Sequence, residues 1–184
     1  MKNVFLTGAP HGGKSTALDR ALDLLAPRQI GGFRTIKMPT EIPGAIGEVH
    51  IIPAFGSPGL HTGHLVGIRW GNGRFTALPG AFEREGCALL TSIPPGTDVI
   101  IMDELGIMEQ DAPCFCAAVL AALDGHISVL GVIKPQSSPF LDEVRSHRKS
   151  TVIELTAENR DSLPERIAGI MQTADTFRQK PTGF

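Results

Sequence analysis

The sequence predicts an α/β domain with a mainly parallel β-sheet flanked by helices. Short apolar runs, typical of strands buried on both faces, alternate along the chain with segments whose apolar residues follow helical spacing. A stretch rich in glycine and proline interrupts this alternation, with 11 glycines and 7 prolines among residues 38–96. The length of 184 residues is typical of one domain, and we therefore expect residues 1–184 to fold as a single unit.

The first predicted elements are a strand and a helix on either side of a glycine-rich turn. Residues 4–6, Val-Phe-Leu, form the apolar run that predicts the strand. Pro27 ends the helix that residues 15–25 predict. This helix is indicated by apolar residues at helical spacing, which are Ala17, Leu18, Ala21, Leu22 and Leu25.

The middle of the chain predicts short strands and turns, because glycine and proline at this density disfavour long helices. Residues 65–70 and 74–76 flank Gly71-Asn72-Gly73 and predict a β-hairpin. Residues 79–92 predict a helix. We interpret residues 38–97 as a β-rich elaboration of the same domain.

The second half returns to strands that alternate with helices. The predicted strands are residues 99–102, 127–133 and 151–155. The predicted helices are residues 111–123, 138–147 and 163–171. Asp111 is expected to cap the first of these helices, with Pro113 in its first turn. The alternation implies βαβ crossovers and hence parallel strands.

Charge and composition exclude several classes of protein. The net charge of −2 gives no general electrostatic attraction to nucleic acid or to an anionic membrane. The longest apolar run, residues 114–123, is too short to span a bilayer, and residues 1–8 show no secretion signal. Three cysteines, an odd number, argue against a disulfide framework, and we interpret Cys114 and Cys116 as helical core residues. We therefore expect a cytoplasmic protein without nucleic-acid or membrane partners, and we favour a monomer.

Residues 8–15 carry the strongest chemical signal. Their sequence, Gly-Ala-Pro-His-Gly-Gly-Lys-Ser, matches the phosphate-binding P-loop and lies between a predicted strand and a predicted helix, as phosphate binding requires. Glycines let backbone N–H groups turn inward, and the helix start directs its positive dipole end at the same point. Lys14 is expected to neutralise the β- and γ-phosphates, and the Ser15 hydroxyl to bind Mg²⁺. The predicted nucleotide contacts are Gly8, Ala9, Pro10, His11, Gly12, Gly13, Lys14, Ser15 and Thr16.

Two carboxylates follow the predicted strand 99–102. Asp103 ends this strand, which we expect beside the first strand, so that Asp103 joins the Mg²⁺ shell in a Walker-B arrangement. Glu104 comes next, and a carboxylate that does not bind metal is suited to orient a water at the γ-phosphate. The alternative for Glu104 is a solvated residue at a strand end.

Three further polar residues follow strands at the same predicted edge of the sheet. Lys134 is expected to contact the γ-phosphate or the attacking water, the alternative being an exposed lysine at the start of a loop. Asn159 and Arg160 are expected to contact the nucleobase, by amide hydrogen bonds and by stacking, or else to cap and brace the last helix. Residues 61–64, His-Thr-Gly-His, lack companion ligands nearby and do not predict a metal site.

The chain resembles the small THEP-type nucleoside-triphosphatases, also called cancer-related nucleoside-triphosphatases. The resemblance covers residues 1–36 and 82–171, and it rests on the P-loop, on Gly32-Phe33-Arg34-Thr35, on the run from Asp103 to Glu109 and on the run from Thr156 to Pro164. It implies a RecA-like P-loop fold with a strand-side catalytic Glu, and slow Mg²⁺-dependent hydrolysis of ATP, GTP and other nucleoside triphosphates to diphosphate and phosphate. Ile107 departs from the family, which usually has Lys there, and residues 38–80 carry no family residue across.

Two other functions stay open from the sequence. A small nucleotide or metabolite kinase would need a second substrate pocket and usually an Arg-rich lid, and the sequence has no Arg-x-x-x-Arg pattern. A nucleotide-binding switch with negligible turnover is the second alternative, and Glu104 argues against it.

Overall fold

The computed structural model describes residues 2–55 and 64–175. Its strands are β1 (Asn3–Thr7), β2 (Ile30–Met38), β3 (Ala45–Pro53), β4 (His64–Trp70), β5 (Phe75–Ala77), β6 (Val99–Leu105), β7 (Ser128–Ile133) and β8 (Ser150–Glu154). Its helices are α1 (Lys14–Leu25), α2 (Pro79–Ala81), a π-helical turn (Phe82–Gly86), α3 (Cys87–Thr91), α4 (Pro113–Asp124), α5 (Pro139–Ser146) and α6 (Leu163–Asp175). Within the described residues the strands form one sheet in the order β5-β4-β3-β2-β6-β7-β1-β8.

Helices cover both faces of the parallel part of this sheet. On one face α1 and α6 pack against each other and bury the apolar side chains that β1, β7 and β8 turn toward them. On the other face the continuous helical segment from α2 to α3 packs against α4, and α5 lies over β8. The second core centres on Phe115, whose ring lies 5.3 Å from the rings of both Phe33 and Phe82. This layered arrangement confirms the expected α/β class.

The carboxyl ends of the parallel strands lie at one edge of the sheet. The order of these strands differs from the expected order at one place. Strands β2, β6, β7, β1 and β8 run parallel to one another. The expectation that the Asp103 strand lies beside the first strand was wrong, because β7 separates β6 from β1. A crossover helix can connect strands that are not adjacent, and apolar runs carry no information on which strands are neighbours. Asp103 still lies at the carboxyl edge of the sheet.

Strand β2 has no counterpart among the predicted elements, because a glycine pair interrupts its apolar run. Gly32 has a positive φ of 91°, and a Cβ there would lie 2.1 Å from the carbonyl oxygen of Ile101. Only glycine fits this close approach to β6. The glycine pair that makes the β2–β6 contact possible therefore also removes the apolar pattern by which a strand is predicted.

The glycine- and proline-rich middle extends the sheet on the β2 side. Strands β3, β4 and β5 add to β2 in succession as antiparallel neighbours. The predicted hairpin is confirmed as β4 and β5, joined through residues 71–74. The predicted helix over residues 79–92 is also present, although its central turn is π-helical. The elaboration is thus largely β-structure, as expected, with one helical segment at its end.

The strands and helices of the second half agree with the expected positions, but one cap differs. Helix α4 begins at Pro113 with Ala112 as its N-cap, so the expected cap by Asp111 was wrong. The carboxylate of Glu83 lies in the π-helical turn and accepts the Cys114 N–H at 2.8 and 3.1 Å. A residue distant in sequence therefore satisfies a free N–H at the start of this helix.

The cysteines also differ from expectation. Cys87 and Cys114 form a disulfide that joins α3 to the first turn of α4. The expectation of no disulfide was wrong, because two helices far apart in sequence bring these residues together. Disulfides are rare in reducing compartments, so the cysteines no longer support a cytoplasmic location, which stays a prediction. Among the described residues no helix is long and apolar enough to cross a membrane.

Candidate active site

The P-loop lies between β1 and α1, at the carboxyl edge of the sheet. Its backbone turns sharply, with φ of 132° at Gly8, 60° at His11 and 94° at Gly13. Gly13 is the N-cap of α1, and no side chain in the described part of the chain caps this helix start. The first N–H groups of a 12-residue helix therefore face the loop and suit an anion.

The loop packs tightly against the end of β8. A Cβ at Gly8 would lie 2.8 Å from the carbonyl oxygen of Leu155, so a larger residue does not fit there. A Cβ at Gly12 would lie 3.1 Å from the carbonyl oxygen of Ala9 and 3.6 Å from the Leu155 side chain. The segment after β8 is therefore a direct neighbour of the P-loop.

Lys14 is buried inside this loop. Its Nζ donates to the carbonyl oxygens of Gly8 at 3.0 Å and of Ala9 at 2.7 Å. A lysine held by neutral backbone carbonyls can exchange these acceptors for phosphate oxygens. The structure thus brings the predicted cation and the predicted N–H cradle to the same place.

Ser15 and Asp103 face each other from α1 and β6. The Ser15 Oγ donates to Oδ1 of Asp103 at 3.3 Å. Burial raises the pKa of Asp103 to about 6, against the opposing charge of Arg34 and the hydrogen bond from Ser15. A buried carboxylate beside a hydroxyl is a pair of hard oxygen donors, which is the chemistry that Mg²⁺ prefers.

Arg34 is a site residue that the apolar-pattern reasoning missed. Its Nη1 lies 3.5 Å from Oδ2 of Asp103, and its Nη2 lies 2.6 Å from Oδ1 of Asp19 on α1. Next to it, the Thr35 hydroxyl oxygen accepts the Glu104 N–H at 3.3 Å. Recognising β2 as a parallel strand would have placed these residues at the carboxyl edge.

Glu104 and Lys134 form an ion pair at the ends of β6 and β7. The Lys134 Nζ lies 3.0 Å from Oε1 of Glu104, and both side chains are roughly a quarter exposed. The Lys134 N–H donates to the Leu105 carbonyl oxygen at 2.8 Å, and the Arg145 guanidinium donates to the Lys134 carbonyl oxygen. Lys134 therefore points toward Glu104, the predicted water-activating carboxylate, instead of into solvent. Its contact with phosphate or water stays a prediction.

Asn159 and Arg160 lie in the segment after β8. The Asn159 Oδ1 accepts the Thr156 N–H at 2.9 Å, and its Nδ2 donates to the Glu154 carbonyl oxygen at 2.8 Å. Both groups of the amide are thus used within this segment, which favours the bracing alternative. Arg160 is exposed. The hydrogen bond from the Thr156 side chain lowers the pKa of Glu158, and the charge of Arg160 adds a smaller effect in the same direction. Contact of either residue with a nucleobase stays a prediction.

The part of the chain that the structure describes contains no preformed cluster of metal-binding side chains. No group of three or more His, Cys, Asp and Glu side chains is arranged there to hold a metal ion. His61, in the segment that did not predict a metal site, lies outside the described residues.

Comparison with known proteins places the chain in a family. The family model described as NTPase matches residues 3–168. Nucleoside-triphosphatase THEP1 of Methanosarcina barkeri is 31% identical over 174 residues, covering 91% of this chain and 96% of that protein. The cancer-related nucleoside-triphosphatase homolog of Mus musculus is 30% identical over 194 residues, covering 95% of this chain and 99% of that protein.

A solved structure of the same family has a similar fold. The crystal structure of THEP1 from the hyperthermophile Aquifex aeolicus superposes with a TM-score of 0.69 at 24% identity, covering 94% of this chain and 99% of that one. This likeness supports the P-loop NTPase fold expected from residues 8–15. The family match over residues 3–168 and the relatives at 30% and 31% identity show that the chain belongs to the family of THEP1 and cancer-related nucleoside-triphosphatases.

Proposed function

We propose that this protein hydrolyses nucleoside triphosphates, ATP and GTP among them, to diphosphate and phosphate with Mg²⁺ as cofactor. The observation that carries the proposal is the meeting of Lys14, Ser15, Asp103 and Glu104 at one edge of the sheet, around the start of α1. Phosphate binding, metal binding and water activation require these groups together. The names of the family and of its related proteins support nucleoside triphosphates as the substrate class.

The phosphates are expected to bind in the P-loop at the start of α1. Free N–H groups at this helix start donate to phosphate oxygens, and the positive end of the helix dipole adds to the attraction. The Lys14 ammonium exchanges the neutral carbonyl oxygens of Gly8 and Ala9 for charged phosphate oxygens. Charge-assisted hydrogen bonds of this kind are shorter and stronger than neutral ones.

Ser15 and Asp103 fit a Mg²⁺ ion by their chemistry and would hold it. Magnesium is usually bound by one or two carboxylates together with substrate phosphates and water. Asp103 is 6% exposed and burial raises its pKa, so a nearby cation stabilises its ionised form. When bound, the ion supplies charge neutralisation at the β- and γ-phosphates.

Glu104 is expected to accept the proton of the attacking water. The water oxygen forms the new bond to the γ-phosphorus, the bond to the β,γ-bridging oxygen breaks, and the proton passes to the Glu104 carboxylate. The Lys134 Nζ lies 3.0 Å from this carboxylate and helps to orient it. Lys14 stabilises the charge that develops on the leaving diphosphate.

Phosphate release from a panel of triphosphates tests this proposal. Purified protein is assayed with ATP, GTP, CTP and UTP, with and without Mg²⁺, and with and without candidate phosphoryl acceptors. We expect acceptor-independent release that requires Mg²⁺. Lys14→Ala should abolish it, whereas the matched variant Lys2→Ala, at an exposed position before β1, should retain it.

Two results of this assay would contradict hydrolysis as the function. Consumption of triphosphate only when an acceptor is present would support the kinase alternative. Tight binding of a fluorescent triphosphate analogue without measurable turnover would support the switch.

A further inference from the structure

Glu109 is a fully buried carboxyl group beside the proposed site. It lies in the turn between β6 and α4, and its exposed fraction is 0%. Its Oε1 accepts the Gly106 N–H at 3.0 Å, and its Oε2 has no hydrogen-bond partner among the described residues. Burying a carboxyl group costs free energy unless hydrogen bonds offset its lost hydration, so the hydrogen bond from Gly106 indicates what Glu109 does.

Gly106, the residue that Glu109 holds, supports the Lys134 side chain. A Cβ at Gly106 would lie 2.9 Å from Cδ and 3.5 Å from Nζ of Lys134. The backbone of the preceding residue, Leu105, accepts the Lys134 N–H at 2.8 Å. The stem of Lys134 therefore lies directly over the Gly106 backbone on its way to Glu104.

We propose that Glu109 is a positioning residue that fixes the Gly106 turn and, through this turn, holds Lys134 against Glu104. The proposal rests on the proposed function, because it treats the Glu104–Lys134 pair as part of the hydrolytic site. Glu109 itself touches neither the phosphates nor the attacking water. Its contribution is to keep the end of β6 in the geometry that water activation requires.

The charges around Glu109 agree with this role. Lys134 and Glu104 are the charged side chains that act on its carboxyl group, with opposite effects on its ionisation. From α4, the Cys116 Sγ donates to the Glu109 carbonyl oxygen at 3.3 Å and anchors the turn from the other side. The Gly106 N–H needs an acceptor oxygen and not a charge, so an amide at position 109 is expected to serve equally well.

Three variants test the proposal through triphosphate turnover, analogue binding and melting temperature. Glu109→Gln keeps an acceptor oxygen and should retain kcat within about twofold, because the hydrogen bond to Gly106 survives. Glu109→Met removes the acceptor and should lower kcat by roughly 10- to 100-fold, the scale of a small misplacement of catalytic groups, with the analogue Kd unchanged. The matched control Glu143→Met, at an exposed position on α5, should behave as the wild type.

Gly106→Ala covers the case in which Glu109→Met does not fold. The new Cβ would lie 2.9 Å from Cδ of Lys134 and therefore displaces this side chain while Glu109 stays unchanged in sequence. Its expected effect is the same loss of kcat with unchanged binding. Wild-type kcat in Gly106→Ala would overturn the proposal. So would equal losses in Glu109→Gln and Glu109→Met, or a loss of kcat matched by a loss of binding. A wild-type protein without any turnover would instead refute the proposed function, which separates the two failures.

Discussion

Glu109→Gln is expected to make the protein more stable than the wild type at alkaline pH and not at acidic pH. Burial raises the pKa of Glu109 from 4.5 to about 7, against the hydrogen bonds from its own N–H and from Gly106 and the charge of Lys134. Glutamine has nearly the shape of the protonated acid and carries no charge. The substitution therefore removes the cost of ionising this buried group and leaves the hydrogen bond to Gly106 in place.

The sign and the size of this stability difference follow from proton binding to Glu109 in the folded and unfolded states. Between pH 4.5 and about 7 the folded protein keeps the Glu109 proton and the unfolded chain releases it, so wild-type stability falls as the pH rises. The stabilising contribution of the proton is complete below pH 4.5 and is lost above about pH 7. At about 1.4 kcal/mol for each pKa unit, the total is about 3 kcal/mol.

Urea denaturation of both proteins at several pH values from 4 to 8, followed by far-UV circular dichroism, measures this quantity. Asp103, whose pKa is also raised, titrates in both proteins and cancels in the difference. The free energy of unfolding of Glu109→Gln minus that of the wild type should increase by about 3 kcal/mol across this range. A difference that stays constant with pH would refute the assignment of Glu109 as a carboxyl group kept neutral by burial.

Three further outcomes are expected. Arg34→Ala should raise the pKa of Asp103 in the metal-free protein, because the guanidinium favours the ionised carboxylate; a ¹³C NMR titration that shows no increase would contradict this. Asn159→Ala should lower the melting temperature and leave the ratio of ATP to GTP turnover unchanged, whereas a changed ratio would indicate a base contact. Replacing Cys87 and Cys114 by serine should lower the free energy of unfolding by up to about 3.6 kcal/mol. This is the chain-entropy value for a closed loop of 27 residues. An unchanged free energy of unfolding would mean that the disulfide is not formed in solution.

Most of the parallel part of the sheet could be predicted from the sequence. Runs such as residues 99–102 are buried on both faces and therefore read as strands without any tertiary information. The P-loop was found because phosphate binding requires its glycines, Lys14 and Ser15 at fixed spacing. These features depend on local sequence, which is why they were predictable.

The features that escaped prediction depend on contacts between distant segments. Gly32 belongs to a strand only because its missing side chain lets β2 approach Ile101 of β6. The carboxylate of Glu83 caps α4 from another helix, and the Cys87–Cys114 bond joins two helices. Burial of Glu109 was likewise invisible, because a Glu after a strand usually faces solvent.

The rate of phosphate release by Glu104→Gln tests the central claim most directly. The amide keeps the shape of the side chain but accepts no proton, so we expect triphosphate binding to persist while turnover falls by roughly 10²-fold or more. Glu165→Gln, an exposed substitution of the same kind on α6, should turn over at the wild-type rate. Wild-type turnover by Glu104→Gln would contradict the account, because the proton of the attacking water would then pass to another group.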